Sequence, residues 1–183
     1  NAGDACVVDD VFHGFHGEAS IAPWEAERDG GMLVLSRRFA TVAATMRRTI
    51  SVAGDVLRIT EELAYDGDEP AHVMWGHHPT FGSDLTDGPF EVTCGARDVE
   101  AEAQYDPPAN PLRPGAAGHW PMLPAREGSA DLAHPRKPWA SVAYLTHFRK
   151  PWTAIRRMDD AIAVQLTWDG ARFPCAWLWY ELE

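Results

Sequence analysis

Two segments concentrate the side chains able to move protons or hold metals. "VFHGFHGEASIAPW" (Val11 to Trp24) carries His13, His16, Glu18 and Trp24, and "MWGHHPTFG" (Met74 to Gly82) carries Trp75, His77 and His78. Histidine titrates near pH ~6.5, so one imidazole from each segment can exchange protons at neutrality. Indole faces beside it offer flat apolar surfaces against which the C–H faces of a neutral polar ligand can rest. A metal centre is the competing reading, because His-x-x-His with a nearby Glu and a second His group supplies nominal zinc or iron ligands. Geometry argues against it. Gly14, Gly17 and Pro23 interrupt any strand through the first segment, and the adjacent His77 and His78 point to opposite sides of an extended chain. His16 and His78 are therefore the candidate acid–base residues, and no metal ligand is assigned. Glu18, Trp24, Trp75 and His77 complete the set as ligand contacts, with packing or solvent-facing roles as the alternative for each. His13, His72, His119, His134 and His147 are read as structural.

The elements that must position these residues are strands. "MLVLSRRF" (Met32–Phe39) follows the turn signal Asp29-Gly30-Gly31. In "TMRRTISVAGDVLRITEELAY", Met46, Arg48, Ile50 and Val52 alternate with polar residues up to Ala53-Gly54-Asp55; Leu57, Ile59, Glu61 and Leu63 alternate on the return, which predicts a hairpin. Further strands are expected at Cys6–Val11, His72–Trp75, Phe90–Cys94, Ser141–Thr146, Thr153–Arg157, Ala163–Trp168 and Cys175–Leu182. No stretch of helical length carries an i, i+3, i+4, i+7 apolar stripe, so the expected class is all-β, an antiparallel β-sandwich. From Tyr105 to Pro138 the chain holds eight of its 14 prolines, which predicts a long irregular excursion acting as a lid or arm. The pairs Arg37-Arg38, Arg47-Arg48 and Arg156-Arg157 fall in strands, so each should send one side chain outward and one inward. Trp177 and Trp179 share a face of the last strand, where packing is the expected role.

A chain of 183 residues is long enough for one well-packed domain. Its net charge of −11 argues against a nucleic-acid partner, since neutralising phosphates requires a basic surface. No apolar run approaches the ~18 residues of a membrane span, and no signal-like start is present. Cys6, Cys94 and Cys175 lie far apart without CxxC spacing, as expected of small buried thiols in a reducing compartment, with the cytoplasm as the default. The start at Asn1 and the stop inside "CAWLWYELE" read as a fragment of a longer domain.

"FHGEASIAPWE", "MWGHHPTFG" and "FPCAWLWYELE", with "LRITEELAYDGDEPAH" between the first two, together resemble the galactose mutarotase-like proteins, the aldose 1-epimerases. The resemblance runs from about residue 5 to residue 183 and lies in the order of the motifs. It implies a β-supersandwich holding a monosaccharide or sugar phosphate, with no cofactor. A general acid protonates the ring oxygen, a base takes the anomeric hydroxyl proton, and rotation about C1–C2 precedes reclosure. His78 matches the family's acid, with Phe81 at the place of its aromatic, and His16 matches the histidine that polarises the sugar. The family's base is a glutamate beyond the last strand; Glu181 and Glu183 come too early to be matched to it. An early sugar-binding arginine has no counterpart, and neither has the family's sugar-gripping aspartate, since His147 near its place is the wrong chemistry. For a phosphosugar, Arg48 or Arg58 could supply the extra basic group. Weak or no mutarotase activity is therefore expected of these 183 residues alone. A carbohydrate-binding protein without catalysis and a metal-dependent cupin-like enzyme remain the alternatives, and the sequence leaves the oligomeric state open.

Overall fold

A computed structural model describes residues 4–8, 10–159 and 162–182. The fold is all-β, with 48% strand against 5% helix, and every sheet is antiparallel. No helix among the described residues is long and apolar enough to cross a membrane. The chain divides into two compact units, Asn1–Met74 and Trp75–Glu183.

In the first unit, β1 (Cys6–Val8) and β2 (Val11–His13) pair as a small hairpin, where a single strand over Cys6–Val11 was expected. Asp10, just before β2, stands at φ 63°, a conformation that Asp tolerates better than most residues. A one-turn helix α1 (Glu18–Ile21) leads into a four-stranded meander of β3 (Glu25–Asp29), β4 (Met32–Arg38), β5 (Ala44–Ala53) and β6 (Val56–Tyr65). Gly30 and Gly31 turn β3 into β4 at φ 53° and 88°, the doubly left-handed geometry of a two-residue hairpin loop. The expected hairpin is β5–β6, with Ile50 opposite Ile59 and Val52 opposite Leu57. The same register sets Arg48 opposite Glu61, and the two form a 2.6 Å ion pair with Glu61 almost buried. Arg38 and Arg47 are exposed while Arg37 and Arg48 are half-buried, so these pairs split between the faces as the alternation requires. No strand forms over His72–Trp75: no regular element lies between Tyr65 and Ser83, a stretch interrupted by Gly67, Pro70, Gly76 and Pro79.

The second unit is a two-layer sandwich. After a one-turn helix α2 (Ser83–Thr86) come β7 (Phe90–Cys94), β8 (Asp98–Ala101), β9 (Ala117–His119), β10 (Met122–Pro124), β11 (Ser129–Asp131), β12 (Trp139–Thr146), β13 (Trp152–Arg157), β14 (Ala163–Thr167) and β15 (Ala176–Leu182). Six strands form one sheet in the order β11-β10-β9-β8-β12-β15, and three form another, β14-β13-β7. Phe90, Val92 and Ile155 of the smaller sheet share one core with Val99, Ala101, Ala143, Leu145 and Tyr180 of the larger. The phenol of Tyr180 donates to the Leu132 carbonyl at 2.6 Å, which satisfies the one polar atom that its burial would otherwise strand.

The proline-rich segment departs from the expected lid. It contributes β9, β10 and β11 to the large sheet, and its Leu112, Leu123 and Leu132 are at most 1% exposed. Strands of three residues demand few of the ladder donors that proline lacks, and Pro124 stands at the end of β10. Buried Asn110 ties the segment down: its amide donates to the Tyr105 carbonyl and Asp106, its carbonyl oxygen accepts from Leu112 N–H, and Arg126 bridges Asp106 and the Asn110 backbone carbonyl. The cysteines also differ from expectation. Cys6 and Cys175 are exposed, and only Cys94 is partly buried.

Candidate functional site

In the first unit the candidate residues surround α1. His16 precedes it at φ 60°, exposed, its ring 3.9 Å from that of Phe15. Glu18 has its carboxylate fully engaged. Oε1 accepts from Arg37 at 2.6 and 3.2 Å, and Oε2 accepts from the Ala40 and Thr41 amides and the Thr41 hydroxyl at 2.8–3.1 Å. Burial alone would raise its pKa, but the Arg37, Thr41 and Ala40 hydrogen bonds outweigh that and lower it. A sugar hydroxyl would have to displace one of these donors, so the arrangement suits a clamp on the chain after β4. Trp24 is likewise engaged: its indole N–H donates to the Ala19 carbonyl at 3.1 Å, and the Arg48 guanidinium lies 5.2 Å from its ring centre.

In the second unit the segment "WGHH" meets two aromatic partners, Phe173 in the loop before β15 and Trp179 on β15. Trp75 and His77 stand edge-on to Phe173, with ring centres 5.8 and 6.0 Å away. His78 instead stacks on Trp179, 6.0 Å between centres with the planes 19° apart. The adjacent imidazoles thus diverge, as an extended backbone before Pro79 requires. Among the described residues no group of three or more His, Cys, Asp or Glu could hold a metal ion.

Around Trp179 the structure assembles groups that the motifs did not mark. The indole N–H of Trp179 and the hydroxyl of Tyr105 both donate to Glu181 Oε2, at 3.0 and 2.7 Å, and no described residue donates to Oε1. Tyr105 also stands edge-on to Trp179, 5.5 Å between centres. One pair further along β12, Trp177 packs edge-on to Tyr144, whose hydroxyl donates to Glu102. Register explains the cluster: Trp177, Trp179 and Glu181 alternate on the outward face of β15, while Leu178, Tyr180 and Leu182 turn into the core. Trp177 and Trp179 therefore remain 49% and 45% exposed, not packed as expected. The signal was available in the strand's own alternation, because two aromatic faces on one strand cannot both enter the same core. No protein-family model, curated protein or solved structure matches this chain.

Proposed function

We propose that the chain is an aldose 1-epimerase-like protein that interconverts the anomers of a monosaccharide or sugar phosphate held on the surface around Trp179. The observation that carries this reading is the stack of His78 on Trp179, with the Glu181 carboxylate bonded to the same indole and to Tyr105. A pyranose needs what is gathered there: a flat aromatic face for its C–H surface, an imidazole, a carboxylate and a phenol. His78 protonates the ring oxygen, and the open oxygen of Glu181 takes the proton of the anomeric hydroxyl as the C1–O bond breaks. Rotation about C1–C2 and return of both protons give the other anomer. His16 enters this reading through its motif alone.

A second reading keeps the ligand and drops the chemistry. Glu181 Oε2 is already fixed by two donors, a geometry that suits a rigid sugar-binding contact as well as a base. NMR anomer-exchange spectroscopy on glucose and galactose, run with and without His78→Ala, separates the two. Exchange that collapses in the variant while sugar binding persists supports the enzyme. Binding without exchange in the wild type supports the binder, and neither binding nor exchange overturns both.

A further inference from the structure

The chain carries a formal charge of −11, yet one cavity of the second unit, about 680 Å³ in volume, has cationic side chains and no carboxylate among its lining residues. Arg97, Arg149, Lys150 and His119 supply polar groups, and Trp120 and Trp152 supply rings. From this we infer a binding site for a small phosphate monoester, the phosphate held by Arg149 and Lys150 and the organic body lying against the two indoles. The inference does not rest on the proposed epimerase activity.

The polar side chains among the lining residues are mostly donors. Arg149 and Lys150 form no ion pair with any described residue, in a protein where acidic partners are abundant. The Trp152 indole N–H has no acceptor among the described residues either. Arg97 is the exception, since it grips Asp98 through Nη2 at 2.9 Å. Asp98 also accepts from His119 Nδ1 at 2.7 Å, which turns the His119 Nε2 away from Asp98, and His147 Nδ1 stands 2.8 Å from its other oxygen. Three cations less the one carboxylate leave two positive charges, which matches the charge of about −1.5 to −2 on a phosphate monoester at pH 7.

The backbone builds this cavity deliberately. The turn after β7 and the chain before β13 are laced together, Gly95 N–H to the Trp152 carbonyl at 3.0 Å and Arg149 N–H to the Gly95 carbonyl at 2.9 Å. Only glycine permits that approach, because a Cβ on Gly95 would stand 2.0 Å from the Lys150 carbonyl oxygen and 3.0 Å from Trp152 Nε1. Asp98 lies opposite Thr146 on β12, four residues beyond Val142, the partner of Trp179. Four strand residues span ~13 Å, too far for one monosaccharide phosphate to occupy both places. The cavity is a second site.

The test is a binding titration of the whole chain at constant ionic strength, with inorganic phosphate, glucose 6-phosphate and glucose as probes. It is followed by calorimetry and by the indole N–H resonances of Trp120 and Trp152. The expected result is saturable binding of glucose 6-phosphate that shifts both indole signals, at least roughly tenfold tighter than inorganic phosphate, with no shift from glucose. Arg149→Ala and Lys150→Ala should each weaken it by about tenfold or more, and the titration of the Trp120 and Trp152 signals should be the same in His78→Ala. No saturable binding up to about 10 mM overturns the site. Binding indifferent to both Arg149→Ala and Lys150→Ala does the same, and inorganic phosphate binding as tightly as the ester overturns the ester assignment. Loss of the Trp120 and Trp152 shifts in His78→Ala would place the phosphate at the Trp179 surface instead.

Discussion

Replacing Glu18 by glutamine separates its two possible roles, ligand contact and structural clamp. In the wild type one carboxylate oxygen faces the Arg37 guanidinium and the other faces the Ala40 and Thr41 amides, and every one of these partners is a donor. A glutamine must turn its own NH2 toward one of the two groups, so a donor opposes donors whichever way it lies. The side chains are shielded, 10% exposed for Glu18 and 26% for Arg37, so water restores the lost bonds only in part. Losing about two charge-assisted hydrogen bonds at ~1.5 kcal/mol each gives a destabilisation of about 3 kcal/mol. A glutamate serving only as a surface ligand contact would cost no more than ~0.5 kcal/mol. With a urea slope of about 1.5 kcal/mol/M, the midpoint for the first unit should fall by about 2 M in Glu18→Gln. Hydrogen exchange at the Ala40 and Thr41 amides should accelerate in parallel. The pH dependence follows from the sign of the shift: because folding lowers the Glu18 pKa, its stabilisation is present above the unfolded value and lost as pH falls through the lower folded one. The variant should lack that acid slope. A variant with an unchanged midpoint, unchanged amide exchange and weakened sugar binding would refute the clamp and restore Glu18 to the ligand site.

Two further outcomes are expected. The Asp98 carboxyl is held at about 2, first by its hydrogen bond to Arg97 and then by His119, so its 13C NMR titration should have its midpoint there. Its contribution to stability is complete above about pH 4 and disappears as pH falls toward 2; Arg97→Gln should move the midpoint back up. Among the thiols, burial pushes Cys94 up to about 11, whereas Cys6 and Cys175 are exposed. Iodoacetamide at pH ~8 should therefore add two groups to the native chain by mass spectrometry and a third only in denaturant. Three additions in the native state would contradict the burial of Cys94.

The β5–β6 hairpin and the splitting of the arginine pairs were legible because period-2 alternation is a local property, recorded residue by residue. The same alternation put Arg48 and Glu61 on the apolar face, though nothing in either strand alone says that they meet; register does. The proline-rich segment misled because proline counts report where long strands fail, whereas β9, β10 and β11 are three residues each and borrow their order from the sheet beside them. Thiol burial was misjudged for a similar reason: Cys6 and Cys94 lie on short strands whose buried face only the sheet assigns, and Cys175 lies outside the strand, just before β15. The motif histidines were found by type, but their partners Trp179, Tyr105 and Glu181 come from distant positions and only topology assembles them.

The outward face of the six-stranded sheet is where the energetics of this unit are least self-serving. Trp177 and Trp179 leave about half of two large apolar surfaces in water, where polar residues on the same pleat would cost the fold nothing. His78 stacks on one face of Trp179, while Tyr105 and Tyr144 meet the two rings edge-on and Glu181 takes the Trp179 indole N–H, contacts that fix the rings' orientation and leave surface for a ligand. A fold that spends burial on Leu178, Tyr180 and Leu182 and withholds it from the residues between them has separated its packing face from its binding face. If that separation is functional, Trp179→Ala should leave the urea midpoint nearly unchanged, within the ~0.5 kcal/mol typical of surface substitutions, while sugar binding is lost. A large drop in the midpoint with binding intact would make Trp179 a packing residue and remove the surface on which the proposed chemistry depends.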